Sequence, residues 1–576
     1  MTYIAPVEDM MFLLNHVIEA DLPSAGLDEE TLSAILDEAA KVARDVIAPL
    51  DAPGDEQGCS LTDGKVTTPD GFKEAYAQYR DNGWNSVPFS EESGGQGLPW
   101  SVAYAVQEMW QSACMSFGLC PMLNQSAVEA LEIHGSEEQK KIYLEEMVTG
   151  QWTGTMNLTE PQAGSDLSVL KTKAEAQEDG SYKLTGQKIY ITYGEHDLAE
   201  NIIHMVLARI PGAPDGVKGI SLFLVPKYIP DEQGNPGERN DVVCTGIEHK
   251  LGIHASPTCT MQYGDKDGAT GWLVGNENEG LKLMFTMMNN ARLAVGLQGV
   301  AISERAYQAA LTFAKDRVQG KDITGGDDRV AIINHPDVKR MLLDMAAYTQ
   351  AGRAVAYKAI AAMDKANKGD QEAAAYVDLL VPVIKAWCTD IALHVTSEAI
   401  QVHGGMGFIE ETGVARHYRD ARILPIYEGT NGIQANDFVF RKIIRDEGRT
   451  LLAFLKGLND LNDTLSGLDE ELHHYYSTAI KDLETSAQQL LLYNDAGKAE
   501  HAAAVAKPFL TQFGITFGGV MMARSFLAAK EQESITPYLK EKTTVSRYYL
   551  HKILPLAKGY YEQVMADPSI LCAWSP

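Results

Sequence analysis

Basic residues are fewer than acidic ones in this sequence, and this limits the anionic partners that the chain can bind. Its 576 residues include 49 Lys plus Arg and 78 Asp plus Glu, which gives a formal net charge of −29 at pH 7. A surface this acidic repels phosphate backbones and anionic lipid headgroups. We therefore expect neither a nucleic-acid partner nor a membrane partner for this chain.

Paired cysteines and the common nucleotide-binding loops are also missing. The seven cysteines form no C-x-x-C motif, which argues against a disulfide framework, a zinc ribbon and an iron–sulfur cluster, and no metal site is predicted. No P-loop is present, and the one glycine-rich run does not follow the G-x-G-x-x-G pattern of a Rossmann fold. Seven unpaired thiols are typical of a reducing compartment.

The N-terminal and apolar segments do not have the features of targeting signals. The first residues, MTYIAPVEDMMFLL, have neither the basic start nor the small-residue cleavage site of a signal peptide. The chain has no run of eighteen apolar residues, and the most apolar candidate, DLLVPVIKAWCTDIAL, is short and charged. Together with the free thiols, these features predict a cytoplasmic protein without a transmembrane helix.

Hydrophobic periodicity divides the chain into four segments. Apolar side chains recur at helical spacing in residues 1–150, 276–450 and 451–576. Residues 151–275 alternate with a period of two and contain a hairpin signal at Asp179-Gly180. The predicted fold is mostly α, with an N-terminal helical domain, a central antiparallel β domain, a helical bundle and a C-terminal helical extension.

Three short motifs carry residues suited to ligand binding and proton transfer. Residues 159–166 (TEPQAGSD) combine Pro, Gly and hydroxyl groups in a segment that is either a ligand-binding loop or a surface turn. Residues 401–408 (QVHGGMGF) hold three glycines, which permit the close approach of a ligand. In residues 427–430 (YEGT), Glu428 is either a general base with a raised pKa or the cap of a following helix.

Together and in this order, the three motifs resemble the acyl-CoA dehydrogenase family over residues 30–445. The resemblance implies a helical N-terminal domain, a β-barrel-like middle domain and a helical bundle, with FAD between the last two and in contact with a neighbouring subunit. It implies that a glutamate removes the α-proton of an acyl-CoA thioester while hydride passes to flavin N5, which yields a trans-2-enoyl-CoA. Electron-transfer flavoprotein is the implied electron acceptor.

The resemblance also assigns roles to individual positions. Glu428 matches the catalytic base, because the alternative base position of one subgroup, directly before Arg292, is occupied here by Ala291. The residues implied to contact the substrate are Ser165, Arg292, Tyr427, Glu428 and Gly429. Those implied to contact FAD are Met156, Leu158, Thr159, Ser165, Tyr190, Thr192, Arg317, Gln401, Gly404, Gly405 and Thr430.

Residues 451–576 continue beyond the end of the shorter family members. With the N-terminal segment, they resemble a longer bacterial subgroup that takes part in dimethylsulfoniopropionate catabolism. This likeness implies 3-methylmercaptopropionyl-CoA or another short-chain acyl-CoA as substrate, and the uncharged residues 114–125 disfavour a dicarboxylate. The extension either fills the place of a second dimer, which favours a homodimer, or is a simple helical appendage.

Two other functions occur on the same fold. An acyl-CoA oxidase would pass its electrons to oxygen, and the sequence leaves this alternative open. A DNA-binding relative of the alkylation response would need a basic C-terminal region, whereas Asp and Glu are interleaved with the lysines of residues 451–576.

Overall fold

The computed structural model describes residues 3–18 and 20–575. It confirms a mostly helical chain with a central β region. One compact unit, called the helical unit below, combines Tyr3–Glu38 with Arg292–Pro576, and the other, the β-containing unit, is Ala39–Ala291. The N-terminal helices are α1 (Val7–His16) and α2 (Glu29–Val42).

The helices of the β-containing unit precede its sheet in the chain. They are α3 (Asp51–Gln57), α4 (Phe72–Asp81), α5 (Trp100–Ala113), α6 (Met115–His134), α7 (Glu137–Gln139) and α8 (Glu145–Thr149). Every residue of α5 is buried. A helix buried on all sides is typical of the core of a large protein.

Residues 51–71, which their Gly, Asp and Pro content predicts to be a loop, are in fact ordered. They form α3 and a small hairpin of β1 (Ser60–Thr62) and β2 (Lys65–Thr67). Val66 of this hairpin is buried in the β-domain core, and Gly54 of α3 packs against the ring of Phe72. Tertiary packing therefore outweighs the local composition here.

The remaining strands of the β-containing unit form an eight-stranded sheet and a separate two-stranded one. They are β3 (Trp152–Asn157), β4 (Lys173–Ala176), β5 (Tyr182–Thr192), β6 (Asn201–Arg209), β7 (Ile220–Pro226), β8 (Tyr228–Pro230), β9 (Pro236–Arg239), β10 (Val242–Ile247), β11 (Thr258–Tyr263) and β12 (Ala269–Val274). The order in the large sheet is β10-β11-β5-β12-β7-β6-β3, with β4 paired to β5 and β6. The hairpin predicted at Asp179-Gly180 is confirmed as β4–β5.

Pairing in this sheet is antiparallel except for the contacts of β6 with β3 and β4. Trp152 to Asn157 run parallel to Asn201 to Val206. Parallel strands need a long crossover, and β4 and β5 provide it because they lie between β3 and β6 in the chain. The predicted antiparallel pairing therefore holds except at these contacts, since alternation alone does not fix the relative direction of two strands.

The helical unit contains long helices and one small hairpin. The elements are α9 (Gly280–Asp316, which enters this unit at Arg292), β13 (Val318–Lys321), β14 (Arg329–Ala331), α10 (Pro336–Asn367), α11 (Gln371–His403), α12 (Val414–Ala421) and α13 (Asn431–Asn436). Helix α9 lies close to α11, because a Cβ added at Gly299 would be 2.4 Å from the carbonyl oxygen of Cys388. Only glycine allows the two backbones to approach this closely.

The C-terminal extension belongs to the same unit. Its helices are α14 (Arg449–Gly457), α15 (Asn462–Leu468), α16 (Glu470–Asp495), α17 (Ala499–Glu531), α18 (Pro537–Tyr548), α19 (Ala557–Met565) and α20 (Ser569–Ala573). Helix α17 packs against α11, since a Cβ added at Gly514 would be 2.3 Å from the indole ring of Trp387. The extension is thus part of the core of the helical unit.

One helix of the described residues is long and apolar enough to cross a membrane. It covers residues 371–408, and 83% of its most apolar 18-residue window is buried inside the protein. Burial of this kind is typical of the central helix of a bundle.

Candidate active site

The loop that carries Glu428 connects α12 to α13 and has an unusual backbone. Glu428 has a φ of +53° and Gly429 has a φ of +84°. A positive φ is uncommon for a residue with a side chain and is concentrated at functional sites. Thr430, not Glu428, caps α13, because its hydroxyl accepts a hydrogen bond from the N–H of Ile433. The interpretation of Glu428 as a helix cap is therefore wrong.

Two cationic side chains face the Glu428 carboxyl group. Burial raises the pKa of Glu428 above its ordinary value, and the positive charges of Arg292 and Lys385 oppose this rise. Arg292 is itself buried and lies 3.7 Å from a carboxylate oxygen of Asp437. A buried carboxyl group with a raised pKa has the properties of a general base.

Lys385 is a site residue that sequence reasoning missed. Its side chain is fully buried in α11, and its Nζ donates to the carbonyl oxygen of Gly429 at 2.7 Å and to Oδ1 of Asn431 at 3.0 Å. Burial lowers the pKa of Lys385 to about 7, although Glu428 and Asp390 act in the opposite direction. A single lysine inside the apolar run LLVPVIKAWC is the signal that could have identified it.

Tyr427 and the backbone of Glu428 itself are held by amide side chains. The hydroxyl of Tyr427 donates to Oε1 of Gln298 in α9. Nε2 of Gln434 donates to the carbonyl oxygen of Glu428 at 2.9 Å. The structure therefore brings Arg292, Tyr427, Glu428 and Gly429 together, as the resemblance implies for substrate contacts, and it places the exposed Thr430 directly after them.

A second group of predicted residues lies in the β-containing unit. Backbone hydrogen bonding joins Ile189 N–H to the carbonyl oxygen of Thr159 at 2.9 Å, and the hydroxyl of Thr155 donates to the carbonyl oxygen of Thr192 at 2.7 Å. These contacts place the segment with Met156, Leu158 and Thr159 beside the segment with Tyr190 and Thr192.

Tyr190 is exposed because the strand is irregular at this point. Its φ is +60°, 60% of the residue is accessible, and the register of β5 against β11 shifts between Lys188 and Ile191. Such a bulge changes the direction in which a side chain points. Alternation alone does not reveal this bulge.

Glu160 of the TEPQAGSD segment has a structural role in the described chain. Its carboxylate accepts from Nζ of Lys188 at 2.9 Å and from the hydroxyl of Thr172 at 2.6 Å. Burial opposes ionisation of Glu160, but Lys188 and these hydrogen bonds outweigh it and hold the pKa at about 2. Backbone hydrogen bonds between Glu160 and Ala163 close the turn, and Ser165 follows as an exposed residue.

A third group lies at the adjoining ends of α9 and α11 in the helical unit. The rings of Phe313 and His403 stack with their centroids 4.3 Å apart. Arg317 follows α9, Gln401 lies in the last turn of α11, and Gly404 and Gly405 follow its end. All four residues are exposed. A Cβ added at Gly404 or Gly405 would meet nothing within 4 Å, so the surface beside the glycines is open.

Other candidate groups lie apart from these clusters. Glu410 and Glu411, the alternative bases after the glycine run, are both exposed, and Glu410 pairs with Arg419 at 3.1 Å. Glu500, His501 and Cys572 come within 4.8 Å of one another in the extension, which sequence spacing could not reveal.

Family models match nearly the whole length of the chain. They describe the N-terminal domain of acyl-CoA dehydrogenase (residues 29–151), its middle domain (155–266), its C-terminal domain (278–441) and an acetyl-CoA dehydrogenase C-terminal-like domain (457–574).

Individual relatives are similar over most of their length. 3-Methylmercaptopropionyl-CoA dehydrogenase of Ruegeria pomeroyi is 48% identical over 92% of each chain. Butyryl-CoA dehydrogenase of Syntrophomonas wolfei is 34% identical over 95% of this chain and 93% of its own. An acyl-CoA dehydrogenase complexed with FAD from Bacillus anthracis has a TM-score of 0.76 at 22% identity, with 98% of this chain and 92% of that chain covered.

Proposed function

The chain belongs to the acyl-CoA dehydrogenase family and dehydrogenates an acyl-CoA thioester, and we propose that its substrate is 3-methylmercaptopropionyl-CoA or another short-chain acyl-CoA. The relative with 48% identity, named for that thioester, supports this choice. In the family resemblance, residues 114–125 occupy the region where dicarboxylate-specific relatives carry an Arg, and here they are uncharged, which disfavours a substrate with a second carboxylate.

The geometry of Glu428 carries the proposed mechanism. Its carboxylate removes the α-proton, and its raised pKa makes it a stronger base than an ordinary glutamate. Within the described residues, the backbone N–H of Glu428 donates to no protein group, so it is available for the thioester carbonyl oxygen. A hydrogen bond there stabilises the enolate that develops as the proton leaves.

We propose FAD as the cofactor, held by the residues that the family resemblance implies for flavin contacts. When bound, FAD supplies the acceptor for the hydride. The donors present fit this cofactor, because an exposed Arg317 guanidinium suits a pyrophosphate, and the hydroxyls of Thr159, Ser165 and Thr430 are exposed or half-buried. The open surface at Gly404 and Gly405 leaves room for such a group.

The same surface supports a homo-oligomer, and we propose a dimer. Phe408 is 87% exposed, and Met406 and Ile409 beside it are also exposed. Exposed apolar side chains of this size are typical of protein–protein contacts. For the electron acceptor we propose an electron-transfer flavoprotein, as the family resemblance implies.

A panel of acyl-CoA thioesters with a dye acceptor tests the proposal. We expect the highest kcat/KM for 3-methylmercaptopropionyl-CoA or butyryl-CoA and little activity with glutaryl-CoA. A preference for long acyl chains, or for glutaryl-CoA, would contradict the proposed substrate. Rapid reoxidation of the reduced enzyme by oxygen alone would instead identify an oxidase.

A further inference from the structure

A continuous series of polar contacts connects the C-terminal extension to the Glu428 loop. Lys507 of α17 forms an ion pair with Asp390 of α11. Asp390 accepts a hydrogen bond of 2.7 Å from Nδ2 of Asn431, and Oδ1 of Asn431 accepts from Lys385. Lys385 donates to the carbonyl oxygen of Gly429, the residue after Glu428.

We propose that Lys507 of the extension is a positioning residue for the catalytic base, acting through Asp390, Asn431 and Lys385 on the Glu428 loop. This inference rests on the proposed role of Glu428 in α-proton removal. It gives the extension a part in catalysis, in addition to packing.

The backbone of the loop needs such support. The positive φ of Glu428, a residue with a Cβ, is held only when the surroundings fix it. Lys385 fixes the carbonyl oxygen of Gly429, and Gln434 fixes that of Glu428. Because a carboxylate must lie within hydrogen-bond reach of the proton that it removes, a displaced loop lowers the rate.

The amide of Asn431 connects Lys385 to the ion pair of Asp390 and Lys507. Its Oδ1 accepts from Lys385, while its Nδ2 donates to Asp390. The orientation of this buried amide is therefore favoured by a cation on one side and an anion on the other, together with the carbonyl oxygen of Ala386, which accepts from Nδ2 at 3.0 Å. Neutralising either charge weakens the preference for this orientation, and so does removal of Lys507, because Asp390 then loses the ion pair that holds its side chain in place.

The charges that face Lys385 come from four elements. Glu428 and Asp390 favour its ammonium form, whereas Arg292 and Lys507 disfavour it. Removing Lys507 leaves Asp390 unneutralised, so Lys385 keeps its proton to higher pH. Removing the charge of Asp390 while Lys507 remains has the opposite effect.

The test compares four variants of the FAD-loaded protein. Lys507→Met removes the charge and keeps the stem, Lys507→Arg keeps the charge, and Asp390→Asn removes its partner. Lys558→Met is the matched control, because Lys558 is a half-exposed lysine of the extension that pairs with Asp482 at 3.2 Å. The measurements are the rate of flavin reduction by butyryl-CoA from pH 6 to 10 and the hydrogen exchange of a peptide covering residues 425–434.

We expect Lys507→Met to slow flavin reduction roughly tenfold, within the loss that a small displacement of a reacting group causes. The alkaline limb of the pH–rate profile moves to higher pH in Lys507→Met and to lower pH in Asp390→Asn. Exchange in the 425–434 peptide is faster in Lys507→Met, whereas Lys507→Arg and Lys558→Met behave like the parent.

Three results would overturn the proposal. The first is a pH profile and a peptide exchange in Lys507→Met that equal those of Lys558→Met. The second is a shift of the alkaline limb that has the same sign in Lys507→Met and Asp390→Asn. The third is a lower unfolding temperature of Lys507→Met without a change in the pH profile or in the peptide exchange. The exchange measurement needs no turnover, so it still reports on the loop if no acyl-CoA reduces the parent enzyme. Failure of every acyl-CoA to reduce the parent enzyme would count against the proposed function.

Discussion

The carboxylate of Asp9 lies 2.7 Å from the ammonium group of Lys542, although 533 residues separate them in the chain. The same carboxylate accepts from Arg353 at 2.7 Å, and Arg353 contacts Glu304 at 2.7 Å. All four side chains are buried. The N-terminal helix, two bundle helices and the C-terminal extension therefore meet at one ionic network.

Asp9→Asn should destabilise the helical unit, because the buried cations Arg353 and Lys542 then have Glu304 as the remaining carboxylate of the network. Breaking a buried ion pair by removing one partner costs about 3–5 kcal/mol. Urea unfolding measures the change, and Glu8→Gln, at the exposed neighbouring position, is the control. A loss no larger than that of the control would show that the network contributes little.

The Asp9 network also predicts loss of stability in acid. Burial acts against ionisation of Asp9, but Lys542 and Arg353 outweigh it and hold the pKa at about 2. This depressed pKa contributes stability above the ordinary aspartate range, and the contribution is lost as the pH falls toward 2. In Asp9→Asn that part of the acid dependence should be absent.

Glu428→Gln should abolish proton removal while preserving the fold, because the amide has nearly the same shape but cannot accept the α-proton. General-base catalysis contributes roughly 10²–10⁴-fold, so single-turnover flavin reduction should slow by at least that factor. FAD content and acyl-CoA binding are the controls and should be unchanged. A rate within tenfold of the parent would exclude Glu428 as the base.

In that case Glu410 and Glu411, which follow the glycine run, would be the next carboxyl groups to test, and Glu129 is a further one. Burial raises its pKa to about 7, although a hydrogen bond from Asn290 opposes the rise. Its carboxylate accepts from Nδ2 of Asn290 at 2.8 Å.

Glu160→Gln should destabilise the β-containing unit and weaken FAD binding. The variant leaves the fully buried Lys188 without its carboxylate, which costs about 3–5 kcal/mol. The turn that presents Thr159 and Ser165 then loses its anchor. Flavin fluorescence after dilution measures cofactor release, and the exposed Glu175 in β4 provides a Glu→Gln control. Unchanged stability and unchanged release would contradict this role of Glu160.

Arg317→Ala should weaken FAD retention, because a guanidinium group binds a pyrophosphate through paired charge-assisted hydrogen bonds. Lys339→Ala removes another exposed cation of the helical unit and should retain FAD. Flavin occupancy after gel filtration at low protein concentration is the measurement. Equal occupancy in the two variants would exclude the proposed contact of Arg317.

The sequence predicts the helices, the strands and Glu428 because these depend on local patterns. Periodicity shows the strand segments, and the YEGT match indicates Glu428 as the candidate base. The features that it misses depend on contacts between distant residues: the parallel β3–β6 pair, the bulge that exposes Tyr190, and the link from Lys385 to Gly429. Lys385 is 43 residues before Glu428, and neither position alone reveals the loop geometry that joins them.

The fit of Gly514 against Trp387 has a consequence for biosynthesis. The ribosome completes the apolar helix α11 long before it synthesises α17, which covers Trp387. During that interval the nascent chain presents a helix apolar enough to pass for a transmembrane segment, so chaperones have to shield it. A gene truncated after residue 450, to the length of the shorter relatives, should therefore yield aggregates instead of a minimal enzyme.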